Sequence, residues 1–90
     1  MRFAVICQDK PSSLQTRLDN RAAHLAYIQA TGVVEQAGPF LDLTGQMRGS
    51  MLILGVGSLA AAQDWAANDP YALAGLFASV QVIEWKRVIG

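Results

Sequence analysis

Three segments of this chain are apolar on both sides of an extended backbone. Phe3, Val5 and Cys7 alternate with Ala4 and Ile6, Met51 and Ile53 with Leu52 and Leu54, and Val80 and Val82 with Ile83 and Trp85. Successive side chains of a strand point to opposite faces, so a sheet with one wet face shows polar residues at every second position. None of these runs does. Each needs cover on both sides, and a chain of 90 residues has room for few helices. Helices would cover one face. The simplest cover for the other is the same face of a second copy, so a homodimer with sheets packed face to face is expected. Composition points the same way: 52% of residues are apolar and 16% charged, yet a chain of this size buries only roughly 60–65% of its unfolded surface.

The order of elements narrows the fold further. Arg2 to Gln8 reads as a strand, ended by Asp9-Lys10-Pro11-Ser12-Ser13. A helix is predicted from Ser13 or Gln15 to Thr31, with Leu14, Leu18, Ala22, Leu25 and Ile28 on its inner face. Ser12 or Ser13 would cap its start and Gly32 its end. Val33 to Asp42 reads as a second strand, interrupted at Ala37-Gly38-Pro39 by a bulge or edge. Leu43 to Arg48 reads as a hairpin connection, and Ser50 to Val56 as a third strand.

Ser58 would cap a second, alanine-rich helix over Leu59 to Asn68, burying Ala62, Trp65 and Ala66. Pro70 ends that helix at Asp69. One further turn falls within Tyr71 to Phe77, and Ser79 to Val88 is the last strand. The resulting β-α-β-β-α-β order is that of an α+β, ferredoxin-like fold: an antiparallel four-stranded sheet with two helices on one face, in a single domain over residues 1–90.

Several function classes are disfavoured. Seven basic and seven acidic residues cancel without forming a run, so a nucleic-acid partner is not expected. Cys7 is the only cysteine; it reads as a buried, inert thiol and permits neither an internal disulfide nor a thiolate-rich metal site. The longest apolar or glycine stretch, Met51 to Gly57, is too short to span a membrane. No leader pattern opens the chain, and a cytoplasmic location is expected. Gly55-Val56-Gly57-Ser58 lacks the third glycine and the parallel context of a dinucleotide site. One histidine without clustered acids makes a metal site improbable. Chemistry without a cofactor is therefore expected.

What remains as a source of chemistry is His24, the only imidazole. Arg17, Arg21 and His24 line one flank of the first helix, and Arg21 and His24 are neighbours at a spacing of three. A histidine suits proton transfer near neutrality, and a carboxylate on its second nitrogen would fix its tautomer. Asp69, at the end of the second helix, can meet His24 if the two helices lie side by side. Bland readings compete. A lone histidine on a helix flank is more often structural, Asp before Pro is a common helix stop, and Arg21 can be a solvated charge. Ser50 can be a polar strand start, Gly38-Pro39 a kink, and Tyr27 and Tyr71 packing residues with wet hydroxyls.

The run Arg21-x-x-His24-Leu25-x-Tyr27, with Gly32, Ala37-Gly38-Pro39, Gly49-Ser50 and Asp69-Pro70-Tyr71, resembles the YciI-like (YCII-related) family. The resemblance implies a dimeric α+β barrel of two ferredoxin-like subunits, and an active site around a His–Asp pair matching His24 and Asp69. Arg21, Ser50, Gly38, Pro39 and Tyr71 match positions near the same cleft. Dehydrochlorination of a chlorinated hydroxyhydroquinone is one activity within the family. The expectation is a cofactor-independent lyase or isomerase acting on a small cyclic or aromatic metabolite, with His24 as general acid or base and Asp69 orienting it. Ser50 and Arg21 would hold an oxyanion, carboxylate or phenolate. The alternative is a non-catalytic dimeric module binding a small ligand. A weaker third reading makes His24 an axial haem ligand.

Overall fold

In the computed structural model, which describes residues 1–90, the chain runs β1 (Arg2–Asp9), α1 (Leu14–Thr31), β2 (Val34–Leu41), β3 (Met47–Gly55), α2 (Leu59–Ala67), α3 (Pro70–Leu73) and β4 (Phe77–Trp85). The strands form one antiparallel sheet in the order β2-β3-β1-β4. This is the α+β, ferredoxin-like arrangement expected from the element order, with α3 as a separate short helix.

Element ends differ from the sequence reading for reasons visible in the pairing. Arg2, at the start of β1, pairs with Trp85. Beyond Trp85 the ladder has no partner, so β4 stops there rather than at Val88. Its start moves forward to Phe77, which pairs with Asp9. β3 begins at Met47 because Leu41 pairs with it. The turn before it is tight: the Asp42 carboxylate accepts from the Thr44 and Gln46 backbone N–H groups at 2.8 and 3.0 Å. Those bonds and the Thr44 hydroxyl hold the Asp42 carboxyl below its ordinary pKa. Ala37-Gly38-Pro39 does not interrupt β2. Pro39 is tolerated because β2 is an edge strand, and the register shifts fall between Val34 and Gln36 and between Phe40 and Leu41.

The apolar core lies between the two central strands and α2. Phe3, Val5, Cys7, Leu52 and Leu54 pack beneath Ala62, Trp65 and Ala66. The Ser58 hydroxyl caps α2 by accepting from the Ala61 N–H. Gly32 ends α1 at φ +66°, a left-handed conformation that favours glycine. At the other end of α1, Ser13 occupies the cap position, but its hydroxyl donates to the Pro11 carbonyl instead of accepting from the helix.

The inner face of α1 corrects the expectation drawn from its apolar residues. Arg17 and His24 are its buried residues. Leu18 and Leu25 are each 47% exposed, and Ala22 faces solvent. The helix is turned by one residue step, about 100°, from the orientation that its leucines suggest. The reason lies beneath it. Asp9, Ser50 and Asp69 offer partners to the two polar side chains, and Trp65 already fills the apolar space. From α1 only Tyr27 and Ile28 join the apolar cluster.

The helix-free face of the sheet presents Met51, Ile83 and Trp85, which are 42%, 51% and 38% exposed. Ile53 on the same face is buried. The two-sided apolar pattern of the sequence thus corresponds to a real apolar surface.

Gly49 marks a close approach of strands. A Cβ at this position would strike the Cys7 carbonyl oxygen of β1 and come within 3.2 Å of the Phe40 ring. Gly49→Ala should therefore destabilise the fold by about 1–3 kcal/mol, an overpacking cost that lowers Tm by roughly 5–20 °C in a chain this small. Thermal unfolding followed by circular dichroism checks this, and an unchanged Tm would show that the strands can part without cost.

Candidate active site

α1, α3 and the strands β2 and β3 line an open cleft of about 150 Å³, a volume at which a cavity admits one benzene-sized ring. Its walls combine apolar side chains, among them Ile28, Pro39 and Leu52, with a few polar groups from α1, β3 and α3. The polar groups converge because α1 turns Arg17 and His24 inward two helical turns apart. β3 presents Ser50 from beneath, and α3 starts immediately beside the imidazole.

His24 Nδ1 lies 2.8 Å from Asp69 Oδ1, with both residues buried. The same carboxylate oxygen accepts the Tyr71 backbone N–H at 3.0 Å, capping α3. A deprotonated Asp69 is an acceptor only, so Nδ1 carries the proton it donates. In the neutral imidazole Nε2 then holds a free lone pair. That nitrogen makes no hydrogen bond within the chain, and no buried side-chain nitrogen or oxygen lacks a partner. Nε2 is therefore open to the cleft that His24 lines. The imidazole stacks on the Tyr71 ring, with centroids 4.0 Å apart and planes 15° from parallel. A base held in one tautomer and one orientation is the chemical capacity of this arrangement.

Arg17 forms the floor. Its Nε and Nη2 donate to the two carboxylate oxygens of Asp9 at 2.8 and 2.9 Å, and Nη2 also donates to the Ser50 hydroxyl at 2.9 Å. Burial alone would ease its proton away, but the hydrogen bond and charge of Asp9 raise the Arg17 pKa further. Its guanidinium carbon sits 4.8 Å from the Tyr71 ring centre. Burial raises the Tyr71 pKa, against the opposing pull of Arg17 and Arg21, so the phenol stays a neutral donor at physiological pH.

The residues singled out in the sequence divide by role. His24, Asp69 and Tyr71 meet directly. Ser50 faces Arg17, while Arg21 sits exposed at the cleft with no ion pair. Gly38 and Pro39 form part of the far wall from β2. Tyr27 is anchored rather than wet, its hydroxyl donating to the Trp65 carbonyl at 2.9 Å. Two participants escape the sequence reading of the site: Arg17 as part of the cleft, and Asp9 as its partner. The spacing of seven between Arg17 and His24, two turns on one face, was the available signal for the first. Nothing local in Asp9-Lys10-Pro11 signals the second. No group of three or more His, Cys, Asp or Glu side chains is placed to hold a metal ion.

Cys7 lies under this site. Burial, with the Asp69 charge, pushes its thiol up from an ordinary 9.0 to about 12. A thiol whose folded pKa is raised favours the native state fully below the unfolded pKa, and that contribution is lost as pH climbs from about 9 toward 12. Chemical unfolding across pH 9–12 should show wild type losing more stability than Cys7→Ala. Parallel curves for the two proteins would remove the buried thiol as the cause.

The YCII-related domain matches residues 1–86 of the chain. The chain is 38% identical to Protein YciI of Escherichia coli, with 98% of this chain and 99% of that protein covered. It is also similar to the solved structure of 5-chloro-2-hydroxyhydroquinone dehydrochlorinase (TftG) from Burkholderia phenoliruptrix in complex with 2,5-dihydroxybenzoquinone. That similarity has a TM-score of 0.88 and 39% identity, covering 96% of this chain and 94% of the other. An antibiotic biosynthesis monooxygenase shares the fold alone, at 11% identity and a TM-score of 0.55, over 96% and 98% of the two chains. Similarity along nearly the whole chain, over a matching sheet and helices, makes this protein a member of the YCII-related domain family.

Proposed function

We propose that this protein is a small-molecule enzyme of the lyase or isomerase kind, needing no cofactor, in which the His24–Asp69 pair moves a proton on a small cyclic or aromatic metabolite. The observation that carries this reading is the imidazole itself. Nδ1 is tied to a buried carboxylate at 2.8 Å, while Nε2 opens on a cleft of about ring size. Likeness to a dehydrochlorinase at 39% identity supports the same reaction class.

In the proposed step a substrate C–H or O–H proton passes to Nε2. Asp69 stabilises the imidazolium, and a base-promoted elimination or shift of the double bond follows. The proton then returns to the product or leaves with the departing group. General acid–base catalysis of this kind contributes typically about 10²–10⁴-fold. With 5-chloro-2-hydroxyhydroquinone as first substrate, His24→Gln should lower kcat by about that factor while Tm and the circular dichroism spectrum hold. Full activity in His24→Gln would end the assignment. If the wild-type protein binds the compound and returns it unchanged, the reading as a binding module takes its place.

The second copy belongs to the same proposal. Met51, Ile83 and Trp85 leave apolar surface on the helix-free face, and burying it against its own twin removes that surface from water. Light scattering after size exclusion should give twice the chain mass for wild type, and Ile83→Asp should shift it toward the monomer. A wild-type monomer at micromolar concentration would refute the dimer.

A further inference from the structure

Met47 stands where strand alternation would place its neighbour. Leu52 and Leu54 of β3 face the core and Ser50 faces the cleft. Counting back by two from Ser50 puts Arg48 on this side and Met47 on the helix-free side. The structure has the reverse. Phe40 pairs with Gly49, but Leu41 pairs with Met47, so β3 carries one extra residue against two consecutive residues of β2. Such a bulge re-aims the side chains beside it. Arg48 turns away, its Nη2 donating to the Gln8 side-chain oxygen at 2.9 Å, and Met47 lines the cleft.

Behind Met47 lies a second cavity, a groove of about 540 Å³ between the start of α1 and the β2–β3 turn. Ser12, Ser13, Gln15 and Gln46 give it hydrogen-bonding groups, and its charges balance, Lys10 and Arg48 against Asp9 and Asp42. Met47 is the one residue that borders both cleft and groove. The rest of the partition is an ion pair, with Arg17 on the cleft side and Asp9 on the groove side. Two hydrogen bonds of 2.8 and 2.9 Å fix that pair. The partition thus has a rigid half and a half made by one unbranched, adaptable side chain.

We propose that Met47 is a specificity-determining residue: it closes the end of the cleft, so the site takes an unextended ring and refuses one with a tail directed at the groove. The cavity beyond sets the class of ligand that its removal would admit, a ring whose tail ends in a neutral hydrogen-bonding group such as an alcohol or amide. Refusal has two causes. One benzene-sized ring already fills a cleft of about 150 Å³. A polar tail pressed against the thioether also loses water for a sulfur that accepts weakly and donates nothing. The proposal rests on the reading of the cleft as the site of a small ring, but binding measures it without turnover.

Phenol and 4-(2-hydroxyethyl)phenol test it, because they differ only in a neutral tail. Binding is read at millimolar probe from the backbone amide NMR shifts of cleft and groove. Wild type should prefer phenol by about tenfold or more, the scale on which an apolar pocket rejects an added methylene. Met47→Ala should bring the two affinities to within about threefold. In that variant the tailed probe, and not phenol, should shift the amides of Ser12, Ser13 and Gln46. Met47→Leu keeps the bulk without the sulfur and should still refuse the tail. Met47→Val, a shorter side chain suited to a strand, serves in place of Met47→Ala if that variant does not fold.

No binding of phenol to wild type, equal wild-type affinity for the two probes, no gain of the tailed probe in a folded shortened variant, or loss of the refusal in Met47→Leu overturns the proposal. A protein that discriminates in this way but turns over no substrate refutes only the proton-transfer reading. Turnover without the discrimination refutes only the role of Met47.

Discussion

One carboxylate oxygen joins the elements that meet at the cleft of this molecule. Asp69 Oδ1 accepts from His24 Nδ1 and from the Tyr71 backbone N–H. The first bond ties α1 to the α2–α3 turn, and the second starts α3. Because Tyr71 follows directly, the same turn lays its ring on the imidazole. The charge of Asp69 is buried, and a buried carboxylate is tolerable only where donors converge on it. Removing it would unlock the tautomer of His24 and the start of α3 together. Cleft geometry and local fold are thus one constraint, not two.

A second buried pair repeats the logic two turns earlier on α1. Arg17 and Asp9 form a two-bond fork that replaces water on both groups at once. Together the two pairs explain why α1 exposes Leu18 and Leu25 and buries Arg17 and His24. Leaving either polar side chain buried without its partner costs more than exposing half a leucine. The sheet is consequently divided. α2 covers it with an apolar core, and α1 covers it with a polar cleft.

The similar dehydrochlorinase was solved in complex with 2,5-dihydroxybenzoquinone and shares 39% identity with this chain. Shared fold with a monooxygenase at 11% identity speaks only to the scaffold, since function resides in the side chains grafted on it.

Element order, the two-sided apolar strands, the Ser58 cap and the left-handed Gly32 were legible in the chain, because each depends on local spacing or on one residue's backbone preference. Asp-Pro-Tyr, with the only histidine, already indicated which carboxylate could meet which imidazole. The inward turn of α1 was not legible. Helical periodicity ranks faces by hydrophobicity, whereas the face actually buried was chosen by Asp9, Ser50 and Asp69, which lie outside the helix. Strand ends were likewise decided by ladder partners, as where β4 halts once β1 runs out at Arg2. Sequence alone determines what each segment prefers by itself. Tertiary structure decided which polar groups met, because burying a charge depends on partners that only the folded chain brings together.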